Sequence, residues 1–229
     1  MRKIIGSLPN VVKFGFTLAE VLITLGIIGI VAAMTIPTLL HEYKIKRTIT
    51  ILREDQSIIT QMLKLSESEN GEPEGWDGVG DYNEENSIKL SKKINPYLKI
   101  AIDCGTYDPN GLCIANSKYE FLNGTTYSNF AIDRIFYKIK LLNGSSIVYY
   151  PYPSIIIFVV DVNGDKLPNV IGRDVFYFKY TAATGLVAFG HPSLYNYKEH
   201  CKMDSTGWGC TYWLLNFGNM DYLKEKSDK

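Results

Sequence analysis

Hydrophobic and polar positions divide the chain into three stretches. From Phe16 to Leu40 it is almost unbroken apolar sequence, with one ionisable residue, Glu20, and one helix breaker, Pro37. A run of that length meets the roughly 20-residue requirement for a helix that crosses a bilayer. Beyond it, apolar residues recur at Ile45, Ile49, Leu52, Ile59 and Met62 or Leu63, with Lys44, Lys46, Arg47, Arg53, Glu54 and Asp55 between them. Steps of three, four and seven are the helical period. The pattern predicts one helix from Phe16 to about Leu65, apolar all round in its first half and two-faced in its second. Pro37 should kink it mildly, because its ring removes a backbone hydrogen bond.

Residues 66–87 change character. Glu67, Glu69, Glu72, Glu74, Asp77, Asp81, Glu84 and Glu85 stand without Lys or Arg, among Gly71, Pro73, Gly75, Gly78 and Gly80. This composition predicts an exposed, mobile loop, with Trp76 pinning it. A short helix is expected over Ile88–Leu98, limited by Pro96. From about Arg134 the period becomes that of strands. FYKIKLL, the turn Asn143-Gly144 and SIVYY read as a hairpin. SIIIFVVDV at 154–162 is a continuous apolar run suited to a strand buried on both faces. VFYFKY (175–180) and LVAFG (186–190) form a second hairpin around Thr184-Gly185. The end, TYWLLNFGNMDYLKE, fits a closing helix or an irregular packed segment. The fold class expected is α+β, a long amino-terminal helix laid across an antiparallel β-meander.

With 229 residues, the chain has room for one or two domains. Lys plus Arg equals Asp plus Glu at 24 each, so no net field points to nucleic acid. The four cysteines form two pairs of equal spacing, Cys104/Cys113 and Cys201/Cys210, with turn residues inside each. Four cysteines allow three connectivities. The local spacing favours Cys104–Cys113 and Cys201–Cys210 over a zinc site, because no C-x-x-C is present and His41, His191 and His200 are scattered. Disulfides in turn imply an oxidising compartment. Neither a nucleophile elbow, a zinc-protease helix, a phosphate loop nor a dinucleotide fingerprint occurs, so no catalytic residues are assigned.

Gly15-Phe16-Thr17-Leu18-Ala19-Glu20, behind a short leader with Arg2, Lys3 and Lys13 and ahead of the apolar run, resembles the processing site of type IV prepilins and type II secretion pseudopilins. The resemblance implies that a prepilin peptidase of the membrane cuts after Gly15 and N-methylates Phe16. It implies that Glu20 guides assembly into a filament, and Pro37 stands where the family often has a proline. It implies a leader at 1–15 in the cytoplasm, a transmembrane and assembly helix at 16–40, and an extracytoplasmic head at 41–229 into which the helix continues through 41–65. Its partners would be the peptidase, other pilin or pseudopilin subunits, and an inner-membrane assembly platform. Counting Lys44, Lys46, Arg47 and Arg53 beyond the span, the positive-inside rule does not by itself place the leader inside. A plain signal anchor and a secretory signal peptide compete. The apolar run exceeds the core of the latter, and no small-residue cleavage site follows it.

On this reading the protein is a structural subunit of a pilus or secretion pseudopilus, not an enzyme. The rival is a minor pilin whose head binds DNA, a glycan or a surface, and an anchored enzyme stands third. One loop carries possible metal chemistry. Asp161, Asn163, Asp165 and Asp174, with the Leu167 carbonyl, offer oxygens suited to calcium. The loop resembles loops in pseudopilin heads, some of which bind calcium. It lacks a glycine at the sixth position, where Lys166 stands, and an Asx turn is the simpler alternative.

Overall fold

The computed structural model describes residues 15–224, as two units that divide between Tyr43 and Lys44. Helix α1 (Leu18–Asn70) is assigned without a break through Pro37. In the first unit its side chains are almost all exposed. In the second, Ile49, Leu52, Ile59, Met62 and Leu63 turn a buried stripe toward the sheet. The helix passes the expected end at Leu65. Ser66 is buried and donates to the Lys93 carbonyl at 2.7 Å, and Gly71, at φ +75°, closes the last turn by donating to the Glu67 carbonyl. Glycine accepts that left-handed conformation without a Cβ penalty.

The acidic stretch is correspondingly less of a loop than its composition suggests. Glu67 and Glu69 ride on α1, and Glu84 and Glu85 open α2 (Glu84–Ile94). The Asn83 side chain caps α2 by accepting from the Asn86 N–H at 2.9 Å. Acids in the first turn and Lys92 and Lys93 in the last suit the helix dipole. Trp76 does pin what remains between the helices. It is buried, and its indole N–H donates to the Gly71 carbonyl at 2.7 Å.

Six strands follow in chain order, each antiparallel to the next: β1 (Ile100–Gly105), β2 (Tyr137–Leu141), β3 (Ser146–Tyr152), β4 (Ile155–Asp161), β5 (Val175–Thr181) and β6 (Gly185–Ala188). The first was not legible in the sequence. It is a mostly exposed edge with two register irregularities, so it shows no apolar alternation. The rest form the expected hairpins. Alternation on β3, β4 and β5 then serves two cores. Tyr149, Phe158, Val160, Phe176 and Phe178 face α1 and α2, while Val148, Tyr150, Val159, Val175 and Tyr177 face the other way. This explains the unbroken apolar run of β4, which is buried on both faces.

What covers the second face is irregular chain. Ile114, Tyr119, Phe130 and Phe136, from the segment between β1 and β2, pack there with Ile171 and Phe189. Two short helices, α3 (Tyr197–His200) and α4 (Cys210–Phe217), complete the unit. The segment between them presses close on its neighbours. At Gly207, held at φ +79°, a Cβ would collide with the Ile171 carbonyl oxygen, so only glycine fits.

Candidate functional site

The amino-terminal site is built by the start of α1. Leu18 is the first helical residue, so Thr17 stands at the cap and Glu20 at the third helical position. The Glu20 backbone N–H donates to Thr17 Oγ1 at 3.2 Å, and the Glu20 carboxylate accepts from both the Thr17 N–H and the Thr17 hydroxyl at 2.8 Å. This reciprocal pair is a capping box, which satisfies N–H groups that a helix start leaves without partners. The lone carboxylate of the apolar run thus holds a defined position one turn from Phe16. Gly15 and Phe16 precede the helix, Phe16 is 89% exposed, and a Cβ on Gly15 would touch nothing within 4 Å. Among the described residues nothing demands glycine there.

Past Glu20 the helix carries an apolar surface that is exposed among the described residues. Leu22, Ile23, Leu25, Ile27, Ile28 and Ile30 are each more than half exposed. This is the one helix among the described residues long and apolar enough to cross a membrane. Exposure of so many large apolar side chains in water is unfavourable at about 25 cal/mol per Å². Lipid or a neighbouring apolar helix is the environment such a surface requires. Residues 1–14, including Arg2, Lys3 and Lys13, lie outside the described residues.

The cysteines form the bridges Cys104–Cys113 and Cys201–Cys210. The first ties β1 to the loop that follows. Asp108 inside it accepts from the backbone N–H groups of Leu112 and Cys113 at 2.9 and 2.8 Å. Cys104, Asp108 and Cys113 are the one group of three acid, His or Cys side chains placed closely enough for a metal among the described residues. Both sulfurs are spent on the disulfide, so it offers no thiolate. The second bridge joins the end of α3 to the start of α4.

The loop from Asp161 to Asp174 does not gather its three aspartates about one point. Asp165 turns to Lys140, at 2.8 Å. Asp161 is wholly buried and accepts from the Tyr119 hydroxyl at 2.8 Å and its own loop's Asn163 N–H at 3.2 Å. Asp174 accepts from the backbone N–H groups of Asn169 and Val170 and from the Asn163 side chain, at 2.7–2.9 Å. Two amide oxygens, on Asn163 and Asn169, remain buried without partners. That donor set falls short of the three carboxylates read from the sequence for calcium, because hydrogen bonds and Lys140 have taken them. The Leu167 carbonyl is likewise engaged, by the Asn163 amide at 3.2 Å. Burial raises the Asp161 carboxyl well above its ordinary range, and nearby Asp174 adds to the shift.

Two buried charges gave no signal in the sequence. Asp55 lies on the helical stripe, where its position among Arg53, Glu54 and Gln56 reads as surface. Lys138, on β2, is enclosed on the second face and donates to the carbonyls of Thr106 and Asp133, and burial lowers it to about 8. Each becomes intelligible only when the partner segments are in place.

Residues 12–36 match the family model for the prokaryotic N-terminal methylation motif. No curated protein and no solved structure matches the chain. The match covers Gly15, Phe16 and the capped Glu20 and ends beside Pro37. The amino-terminal segment therefore matches the prokaryotic N-terminal methylation motif.

Proposed function

We propose that the protein is a structural subunit of a type IV pilus or a type II secretion-like pseudopilus. A prepilin peptidase cuts after Gly15 and methylates the amine of Phe16. The single observation that carries this reading is the coincidence of the methylation motif with an uncovered apolar helix. The motif supplies the substrate of a processing enzyme, and the helix supplies both a membrane anchor and a packing surface for neighbouring subunits. Residues 1–15 would be the leader, 16–40 the span, and 41–229 the head, held outside the cytoplasmic membrane where its disulfides are stable. Other subunits and an inner-membrane platform would be its assembly partners.

The role is mechanical and not catalytic. In a filament core, Glu20 can meet the positive amine of Phe16 on a neighbouring subunit. The apolar surroundings there strengthen the attraction relative to water. Without such a partner a carboxylate within lipid is unfavourable, although Thr17 offsets part of this. Mass spectrometry of the amino terminus, on protein extracted from membranes with active peptidase, tests the reading. The expected species begins with methylated Phe16. Intact Met1 as the dominant end would defeat it.

A further inference from the structure

The second face of the sheet carries a concentration of tyrosine. Tyr82, Tyr127, Tyr150, Tyr152, Tyr177 and Tyr195 come from β3, β5 and three loops. Tyr82 lies flat on Tyr152, with ring centroids 4.9 Å apart and planes 2° apart, and both meet the edge of Tyr150. Trp208 gathers the other three, at 4.9 Å from Tyr195, 6.3 Å from Tyr127 and 6.4 Å from Tyr177. The hydroxyls of the two groups share one neighbourhood. Burial raises the Tyr150 phenol well above its ordinary value, and Tyr127, Tyr82, Tyr152 and Tyr195 raise it further. Burial does the same to Tyr177, reinforced by Tyr127, Tyr150 and Tyr82.

Three features distinguish this cluster from core packing. Tyr82, Tyr152 and Tyr195 are 37–40% exposed, so the cluster opens to the surface. Beneath them, the Trp208 indole N–H is buried without a hydrogen-bond partner, and the hydroxyl of Tyr177, a residue only 2% exposed, has the Tyr127 hydroxyl as its polar neighbour. Such groups ordinarily find partners. Tyr195 is also fixed at φ +50°, an uncommon conformation for a bulky residue, by a loop in which Gly190 donates to the Leu194 carbonyl and accepts from the Tyr197 N–H.

From this geometry we propose that the tyrosine face of the head is a binding site for a neutral oligosaccharide. Flat C–H faces of equatorially substituted pyranose rings pack on the exposed phenol rings of Tyr82, Tyr152 and Tyr195, and sugar hydroxyls meet the phenol O–H groups of the same three residues. Tyrosine gives large rigid contact area with little rotamer freedom to lose. The groups on offer are uncharged, and the Asp133 carboxylate acts on Tyr82 and Tyr127, which disfavours nucleic acid and acidic glycans. The proposal stands whether or not the chain is a filament subunit.

The test uses the full chain in a detergent without a sugar head group, titrated calorimetrically with cello-, malto- and xylo-oligosaccharides and N-acetylglucosamine oligomers. Binding by at least one is expected, with a change in Trp fluorescence. Tyr152→Phe keeps the ring and removes one hydroxyl from the exposed part of the cluster, and should weaken binding about tenfold, the equivalent of one good hydrogen bond. Tyr82→Ala removes an exposed ring and should weaken it by a similar or larger factor. Tyr107→Phe, away from the cluster, should leave it unchanged. If Tyr82→Ala loses its near-ultraviolet circular dichroism, the comparison of Tyr152→Phe with the wild type decides alone. Failure of every neutral oligosaccharide to bind the wild type would overturn the proposal. Wild-type affinity in both cluster variants, or binding only of an acidic polysaccharide or a protein, would do the same.

Discussion

The Asn143 side-chain amide donates a 2.9 Å hydrogen bond to the wholly buried carboxylate of Asp55. The Ser145 hydroxyl donates to the same oxygen at 2.9 Å, so the turn between β2 and β3 is fastened to the second half of α1. The other oxygen of Asp55 is buried without a partner. A half-satisfied buried charge makes the head sensitive to pH.

Burial pushes the Asp55 carboxyl up to about 6 from 3.8, with the Asn143 and Ser145 hydrogen bonds opposing it and nearby Glu54 adding to it. Between those values the folded chain holds a proton that the unfolded chain has lost. Stability therefore falls as pH rises through the window from about 4 to about 6 and stays at the lower level above it. Asp161 and Asp174, also raised by burial, add in the same direction. Urea unfolding of the 44–229 unit should give a higher midpoint at about pH 5 than at about pH 7.5, by roughly 1–3 kcal/mol. Asp55→Asn should shrink the difference. A lower midpoint at the acid end would contradict the assignment.

Gly15→Val should abolish processing while leaving the head's melting temperature unchanged. A Cβ at this position meets nothing within 4 Å among the described residues, so intolerance of the variant is expected from the peptidase. Immunoblots of membranes should show only the unprocessed form. Normal cleavage of the variant would remove Gly15 from the recognition element.

Glu20→Ala should impair assembly and not folding. Its partner within the chain is Thr17, at the start of α1, and the buried stripe begins only at Ile49. The variant loses the carboxylate half of the capping box, while the Thr17 hydroxyl still accepts from the backbone N–H of residue 20. Insertion should not suffer, since the span becomes more apolar. Filament preparations should lack the variant while membranes retain it. Full incorporation would show that Glu20 has no part in assembly.

Each disulfide closes a loop of about ten residues, so replacing either pair with serine should cost roughly 2.5–3 kcal/mol on the chain-entropy account. Removing Cys201–Cys210 should also loosen the packing of Gly207 on Ile171, and so lower protection from hydrogen exchange around Trp208. Non-reducing peptide maps check the pairing. Unchanged midpoints in both double-serine variants would refute the estimate.

Asp174→Ala should destabilise the head by about 3 kcal/mol or more at neutral pH, because two backbone N–H groups and the Asn163 amide lose their acceptor. Asp165→Ala, which breaks an exposed ion pair with Lys140, should cost less than about 1 kcal/mol. Urea midpoints of the two variants test this ordering. Equal effects would mean that the loop is not held as the hydrogen bonds indicate.

The features legible in the sequence are those whose determinants are local. A membrane-length apolar run, a helical period, a turn such as Asn143-Gly144 and the alternation in β5 each act over a few neighbours. The motif around Gly15 and Glu20 is equally local, as a processing enzyme would need. The capping box at Thr17 and Glu20 sits within one turn. What escaped the sequence depends on distant partners. Strand β1 pairs only as an irregular edge, so its residues carry no alternation. Asp55 looks like surface until Asn143 and Ser145 arrive from the β2–β3 turn, and Lys138 until Thr106 and Asp133 close over it. The aspartates of the 161–174 loop could be counted in the sequence, but whether they would meet a cation, Lys140 or backbone N–H groups is settled by neighbouring chain. Sixteen tyrosines are visible as composition. Only the tertiary fold decides that six of them share one face, because three come from loops whose course follows no periodic pattern.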